Sequence, residues 1–174
     1  MNWKDKEWLS LAVDLADAAM GDGRAPVGAV LVGSDHIIVG KGTSWTVPAG
    51  DGEKQNVSVD HAEVYVLRSC QNKLQKDMQY TLYVSLEPCH MCMGAAIVAR
   101  IGRVVWALDD FWGGATRMYD TSRDYIKLRM PELVRTPYPD LQKRSAQLWV
   151  DHLDQYNLPD YKDRMLRWQQ RIEL

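Results

Sequence analysis

Cys89 and Cys92 stand three residues apart in the stretch PCHMC, just behind Pro88. Two thiolates at that spacing face the same way on the first turn of a helix and can hold one metal ion between them. Proline suits a first helical position, so Cys89 is expected early in a helix, where the dipole and free N–H groups favour thiolate over thiol. A closed structural zinc site takes four protein ligands, and no second Cys-x-x-Cys exists to complete one. Cys70 keeps apolar company and reads as core. The best remaining ligand is His61, at the start of the preceding helix. Two cysteines and one histidine leave one coordination position open, as in catalytic zinc sites. Glu63, two residues beyond His61, is placed to take a proton from a water at that position and hand it on.

Each part taken alone has a plainer reading. Asp60 and Glu63 have the spacing of a capping box, and Cys89 and Cys92 that of a redox pair. A lone histidine at a helix start is more often structural than a ligand. The conjunction of His-x-Glu with Pro-Cys-x-x-Cys is what favours a metal. His90 reads as helix surface, and His36 and His152 carry no pattern.

The elements that must position these groups follow from periodicity. Residues 3–20 place Trp8, Leu9, Ala12, Val13, Ala16, Ala19 and Met20 at helical spacing before Gly21-Asp22-Gly23. Val27 to Val32 and His36 to Val39 read as a strand pair turning at Gly33-Ser34-Asp35, with Gly28 and Ala29 keeping the first strand slim. Lys41 to Val59 reads as a long loop bordering the site. Asp60 caps a helix running to about Gln71; YTLYVSL is a strand, Pro88 opens a helix, and RVVWAL is the next strand. Alternation of strand and helix predicts parallel pairing in a layered α/β sheet. A helix near 122–130, an edge strand at 132–136 and two helices, about 140–156 and 160–172, complete one domain over residues 1–174, the last two forming a helical extension.

Composition narrows the function. The 174 residues carry a net charge of −2, with eleven basic against fifteen acidic residues over 1–120 and ten against eight over 121–174. That is a weak footprint for a nucleic-acid binder and suits a small polar substrate better. Three cysteines do not make a disulfide framework, and no apolar run is long enough to span a bilayer. The expectation is a soluble, cytoplasmic protein with no membrane partner.

PVGAVLV, HAEV, TLYVSLEPCHMC and GAAIVARIGRVVWA, in that order, resemble the cytidine deaminase-like superfamily. The likeness is to its histidine-ligand branch of tRNA adenosine deaminases, guanine and related base deaminases, and deoxycytidylate deaminases. It runs from the first helix to about Ala115. It implies a three-layer α/β/α fold with a five-stranded mixed sheet, and one Zn2+ per subunit held by His61, Cys89 and Cys92 with a catalytic water. The implied reaction is hydrolytic deamination: water adds to the ring carbon bearing an exocyclic amine, ammonia leaves, and Glu63 moves the protons. The implied substrate surface includes the backbone around Ala62 and Ser85, with Ser44, Val27, Asp109 and Trp112, and the implied assembly is a homodimer.

Departures fall on the substrate side. Ser44, in GKGTSW, stands where much of the branch has a substrate-holding asparagine; NVSVD replaces the usual Asp-Pro-Thr-Ala; FWGGATRMYD replaces a stretch typical of the tRNA enzymes. The expected substrate is therefore a free base, nucleoside or related amino-heterocycle, guanine-type ahead of cytosine-type. Adenosine-to-inosine editing of tRNA comes second, and a zinc-containing interaction protein without turnover is the alternative of another class.

Overall fold

The computed structural model describes residues 4–45, 59–75, 79–117 and 123–156, and beyond these only 163, 166, 167 and 170. Most of the expected loop before His61 and of the expected helix at 160–172 lies outside the described residues.

Helix α1 (Asp5–Gly21) leads into the hairpin β1 (Gly28–Gly33) and β2 (Ile38–Thr43). Then come α2 (Ala62–Cys70), β3 (Tyr80–Leu86), α3 (His90–Val98), β4 (Arg103–Leu108), the short α4 (Asp124–Lys127), β5 (Glu132–Arg135) and α5 (Pro139–Gln155). The sheet order is β2-β1-β3-β4-β5. β1 is antiparallel to both neighbours, whereas β3, β4 and β5 are mutually parallel. The expected mixed sheet is thus observed, with a β1–β2 hairpin and parallel pairing of β3, β4 and β5. The α2 crossover does join two strands running the same way, β2 and β3, but the hairpin has set β1 between them.

Alternation along the strands builds the layers. Ala29, Leu31, Leu82, Val84, Val104 and Trp106 face α2 and α3, and Cys70 lies in this core as expected. Val30, Val32, Tyr83, Val105 and Ala107 face α1 and α5. The far half of α5 covers Leu86 and Leu108, at the ends of β3 and β4, through Ala146, Trp149, Val150 and Leu153. Thus α5 packs on its own chain. The slimness expected at Gly28 is a contact requirement: a Cβ there would lie 2.6 Å from the Leu15 Cβ and 2.8 Å from the Ala16 nitrogen. Alanine at 28 would force α1 off the sheet.

Boundaries shift by a few residues. β2 extends to Thr43, into the expected loop, because Gly28 to Leu31 pair with Gly40 to Thr43. The helix expected at 122–130 is a single turn, Asp124–Lys127. Among the described residues no helix is long and apolar enough to cross a membrane.

Candidate metal and catalytic site

The site gathers where α2 and α3 begin. His61 is the extended residue before α2 and Cys89 the extended residue before α3, so Cys89 precedes the helix rather than lying in it. The displacement follows from Cys89 making a β-bridge to Gly114, which keeps residues 87–89 extended beyond the end of β3. Cys92 lies one turn on, fully buried. The two sulfurs are 3.5 Å apart, and the His61 Nδ1 is 3.6 Å from the Cys89 Sγ and 3.5 Å from the Cys92 Sγ. These three atoms form the His/Cys/Cys group able to hold a metal ion.

The triangle can be tested against zinc. Bonds of about 2.3 Å to sulfur and about 2.0 Å to nitrogen in a tetrahedron give edges of about 3.8 Å between sulfurs and about 3.6 Å between sulfur and nitrogen. The observed edges agree within a few tenths of an ångström, and a soft, anionic S2N donor set suits zinc. The contact between the two thiols shifts them in opposite directions. Cys92, then His61, holds the Cys89 thiol down to about 3, while the same contact pushes Cys92 up and the Cys89 thiolate raises His61. A divalent ion would relieve that arrangement by accepting both sulfurs as thiolates.

Glu63 is almost wholly buried, and burial pushes its carboxyl up to about 7. One of its oxygens, Oε2, has no hydrogen-bond partner among the described residues. A buried carboxylate oxygen without a partner beside three metal-type donors calls for a physical explanation, and a carboxyl raised by burial is chemically able to take up and give back a proton near neutral pH. The capping-box alternative is not realised. α2 has no side-chain cap, and Asp60 pairs instead with Arg68 at 2.9 Å.

The residues expected at the substrate side divide into two groups. Ser44 and Val27 meet through a backbone bond of 2.9 Å, and Trp45 N–H donates to the Asp60 carbonyl at 3.1 Å, which brings this segment to His61 and Ala62. Arg24, which sequence reasoning passed over, secures the segment by donating to the Thr43 hydroxyl and the Ser44 carbonyl, and lies over the Trp45 ring. Ser85 and Asp109 are engaged in the scaffold. The Ser85 hydroxyl accepts from Gly28 N–H and its carbonyl from the Ser145 hydroxyl. Asp109 accepts from the Trp106 indole at 2.9 Å and pairs with Arg135 at 2.9 Å. Trp112 is 71% exposed on the loop after β4, and His90 is exposed as expected.

Residues 2–108 match the family model of the cytidine and deoxycytidylate deaminase zinc-binding region. The chain is 38% identical over 113 residues to the tRNA-specific adenosine deaminase of Haemophilus influenzae, covering 64% of this chain and 62% of that one. It is 26% identical to the cytosine deaminase of Candida albicans, over 77% of this chain and 87% of that one. It therefore spans under two thirds of the length of the tRNA-specific relatives it matches. The solved guanine deaminase of Nitrosomonas europaea shares the fold, with TM-score 0.63 at 18% identity over 83% of this chain and 82% of that one.

Proposed function

The chain belongs to the cytidine and deoxycytidylate deaminase zinc-binding family, and on that premise we propose that it is a zinc-dependent hydrolytic deaminase of an amino-heterocycle. The observation that carries the proposal is the buried, open Oε2 of Glu63 beside the His61, Cys89 and Cys92 donors. His61, Cys89 and Cys92 would hold zinc, which would supply Lewis acidity toward a water. Glu63, held near neutral pKa by burial, would take one proton from the water as its oxygen bonds to the ring carbon and pass that proton to the ring nitrogen; it would then move the second proton from the added hydroxyl to the amine, so that the C–N bond breaks, ammonia leaves and a carbonyl remains. Burial of Cys92, Glu63 and Ala62 keeps bulk water from competing for those protons.

The proposed substrate is a free base or nucleoside, guanine-type first and cytosine-type next. Its support is the net charge of −2 and the divergence of the Ser44 and 109–117 segments from the pattern of the tRNA enzymes. The likeness to tRNA-specific adenosine deaminases across the ligand region favours a second reading, editing of adenosine in tRNA. The two separate in one experiment. Ammonia release is measured over guanine, adenine, cytosine, their nucleosides and nucleotides, beside an inosine assay on tRNA. Release from a free purine base with no inosine is the expected result; inosine formation that weakens steeply with salt, with no turnover of free bases, overturns it.

A further inference from the structure

We propose that Glu87 is a positioning residue that locks the loop following β4 onto the segment bearing Cys89, and so sets the geometry of the metal cradle. The inference rests on the metal-site reading but not on the identity of the substrate.

Glu87 sits between the end of β3 and Pro88, its side chain 6% exposed. Its carboxylate oxygens are both engaged by the loop. Oε2 accepts from Asp110 N–H at 3.1 Å, and Oε1 accepts from Thr116 N–H at 3.2 Å and from the Thr116 hydroxyl. Its own N–H donates to the Leu108 carbonyl at 2.8 Å, and Ala115 N–H donates to the Pro88 carbonyl at 3.0 Å. The bridge between Cys89 and Gly114 completes the seam. The fit is tight at Gly114, where a Cβ would come within 2.5 Å of the Glu87 carboxyl carbon.

The consequence is mechanical. Cys89 caps α3, its carbonyl accepting from Met93 N–H at 2.9 Å, while its N-terminal side is extended chain, so its position also depends on what grips residues 87–89. Besides the backbone seam, the side-chain part of that grip is one buried carboxylate with three donors, all from residues 110–116, a span that also carries Phe111 and Trp112 on the surface. A buried charge satisfied by several N–H and O–H donors makes a stiff joint, because each bond lost leaves the charge less compensated. Glu87 makes none of the ligand contacts itself. It acts through the backbone, as supporting groups around metal sites do.

The test is metal affinity, measured on full-length protein by competition with a chromophoric chelator, together with the visible ligand-field spectrum of the cobalt-substituted protein. Glu87→Ala is expected to weaken zinc binding by at least about tenfold and to alter the cobalt bands, the effect size typical of supporting residues around metal ligands. Thr116→Val, nearly isosteric and distant in sequence from the ligands, removes one donor and is expected to weaken binding by about threefold and to lower the apo melting temperature by about 3–6 °C, a smaller share of the same effect. If Thr116→Val folds normally and shows wild-type zinc affinity and cobalt spectrum, the proposal is overturned, whatever Glu87→Ala does. Failure of the deaminase reading registers differently: no substrate then turns over in the wild type, while the loss of metal affinity in both variants still supports the clamp.

Discussion

Two clusters of buried charge lie at opposite ends of the sheet. At the start of β4, Asp5 of α1 receives Arg103 through two bonds of 2.7 Å and the Tyr83 hydroxyl at 2.8 Å. Both Asp5 oxygens are engaged, and Arg103 reaches Glu132 as well at 3.3 Å. Beyond the end of β3, His61, Cys89 and Cys92 turn three donors toward one another, and Glu63 keeps an oxygen open. Both clusters desolvate charge, which costs several kcal/mol unless compensated. The first meets that cost entirely within the protein and is a fastening. The second leaves one carboxylate oxygen uncompensated beside three metal-type donors, at the carboxyl ends of parallel strands, where α/β sheets place their ligands.

The sharpest way to break this contrast is Glu63→Gln. The amide keeps the shape and burial but cannot accept and return a proton. Turnover on the identified substrate is expected to fall by roughly 10²- to 10⁴-fold, the range of general acid–base contributions. Zinc stoichiometry, read by atomic emission, is expected to stay at the wild-type level, and the melting temperature is expected to stay close to it, because the amide keeps the carboxyl's shape and burial. A Glu63→Gln enzyme with normal turnover would sink the proposed proton carrier.

Asp5→Ala probes the other cluster, with the opposite signature. It strips Arg103 of its bidentate partner and Tyr83 of its acceptor, both in a setting where loss of one member of a buried pair costs about 3–5 kcal/mol. Arg103 retains some exposure and Glu132, which places the expected loss near the lower end. In a chain of this size about 3 kcal/mol lowers the melting temperature by about 6–12 °C in calorimetry. Zinc content and turnover per folded molecule should be unchanged. Loss of zinc at a temperature where the variant is still folded would show that the fastening also shapes the cradle.

The two clusters were not equally legible in the sequence. The cradle was visible because its members are few, chemically distinctive and locally spaced: His61 with Glu63, Cys89 with Cys92. β3 was visible through a run of β-formers between polar breaks, and it spans Tyr80–Leu86 as expected. The fastening was not visible, since Asp5 and Arg103 lie 98 residues apart and each resembles any surface charge until α1 docks. The β1–β2 hairpin was legible from its turn, but the pairing of β1 with β3 was not, because which strand lies between β2 and β3 has no local signal. Glu87 left one clue, a charge at the end of an otherwise apolar strand, whose meaning depended on a loop more than twenty residues away.

The smallest expected effect is the most discriminating about how separate the regions are. Tyr83 lies in β3, the strand that runs on through Leu86 and Glu87 to Cys89. Its ring is 2% exposed, and its hydroxyl, driven far up by burial and then by Asp5, is a permanent donor. Tyr83→Phe keeps the ring in the core and leaves Asp5 with both Arg103 bonds. The cost is one hydrogen bond to a charged acceptor, about 1.5 kcal/mol. That is about 3–6 °C in melting temperature. If the clusters are independent, zinc affinity and turnover stay at wild-type values while the melting temperature drops. If the variant instead loosens zinc binding, strain in the middle of β3 is reaching Cys89 along a single strand, and the division between fastening and chemistry fails at the one element both share.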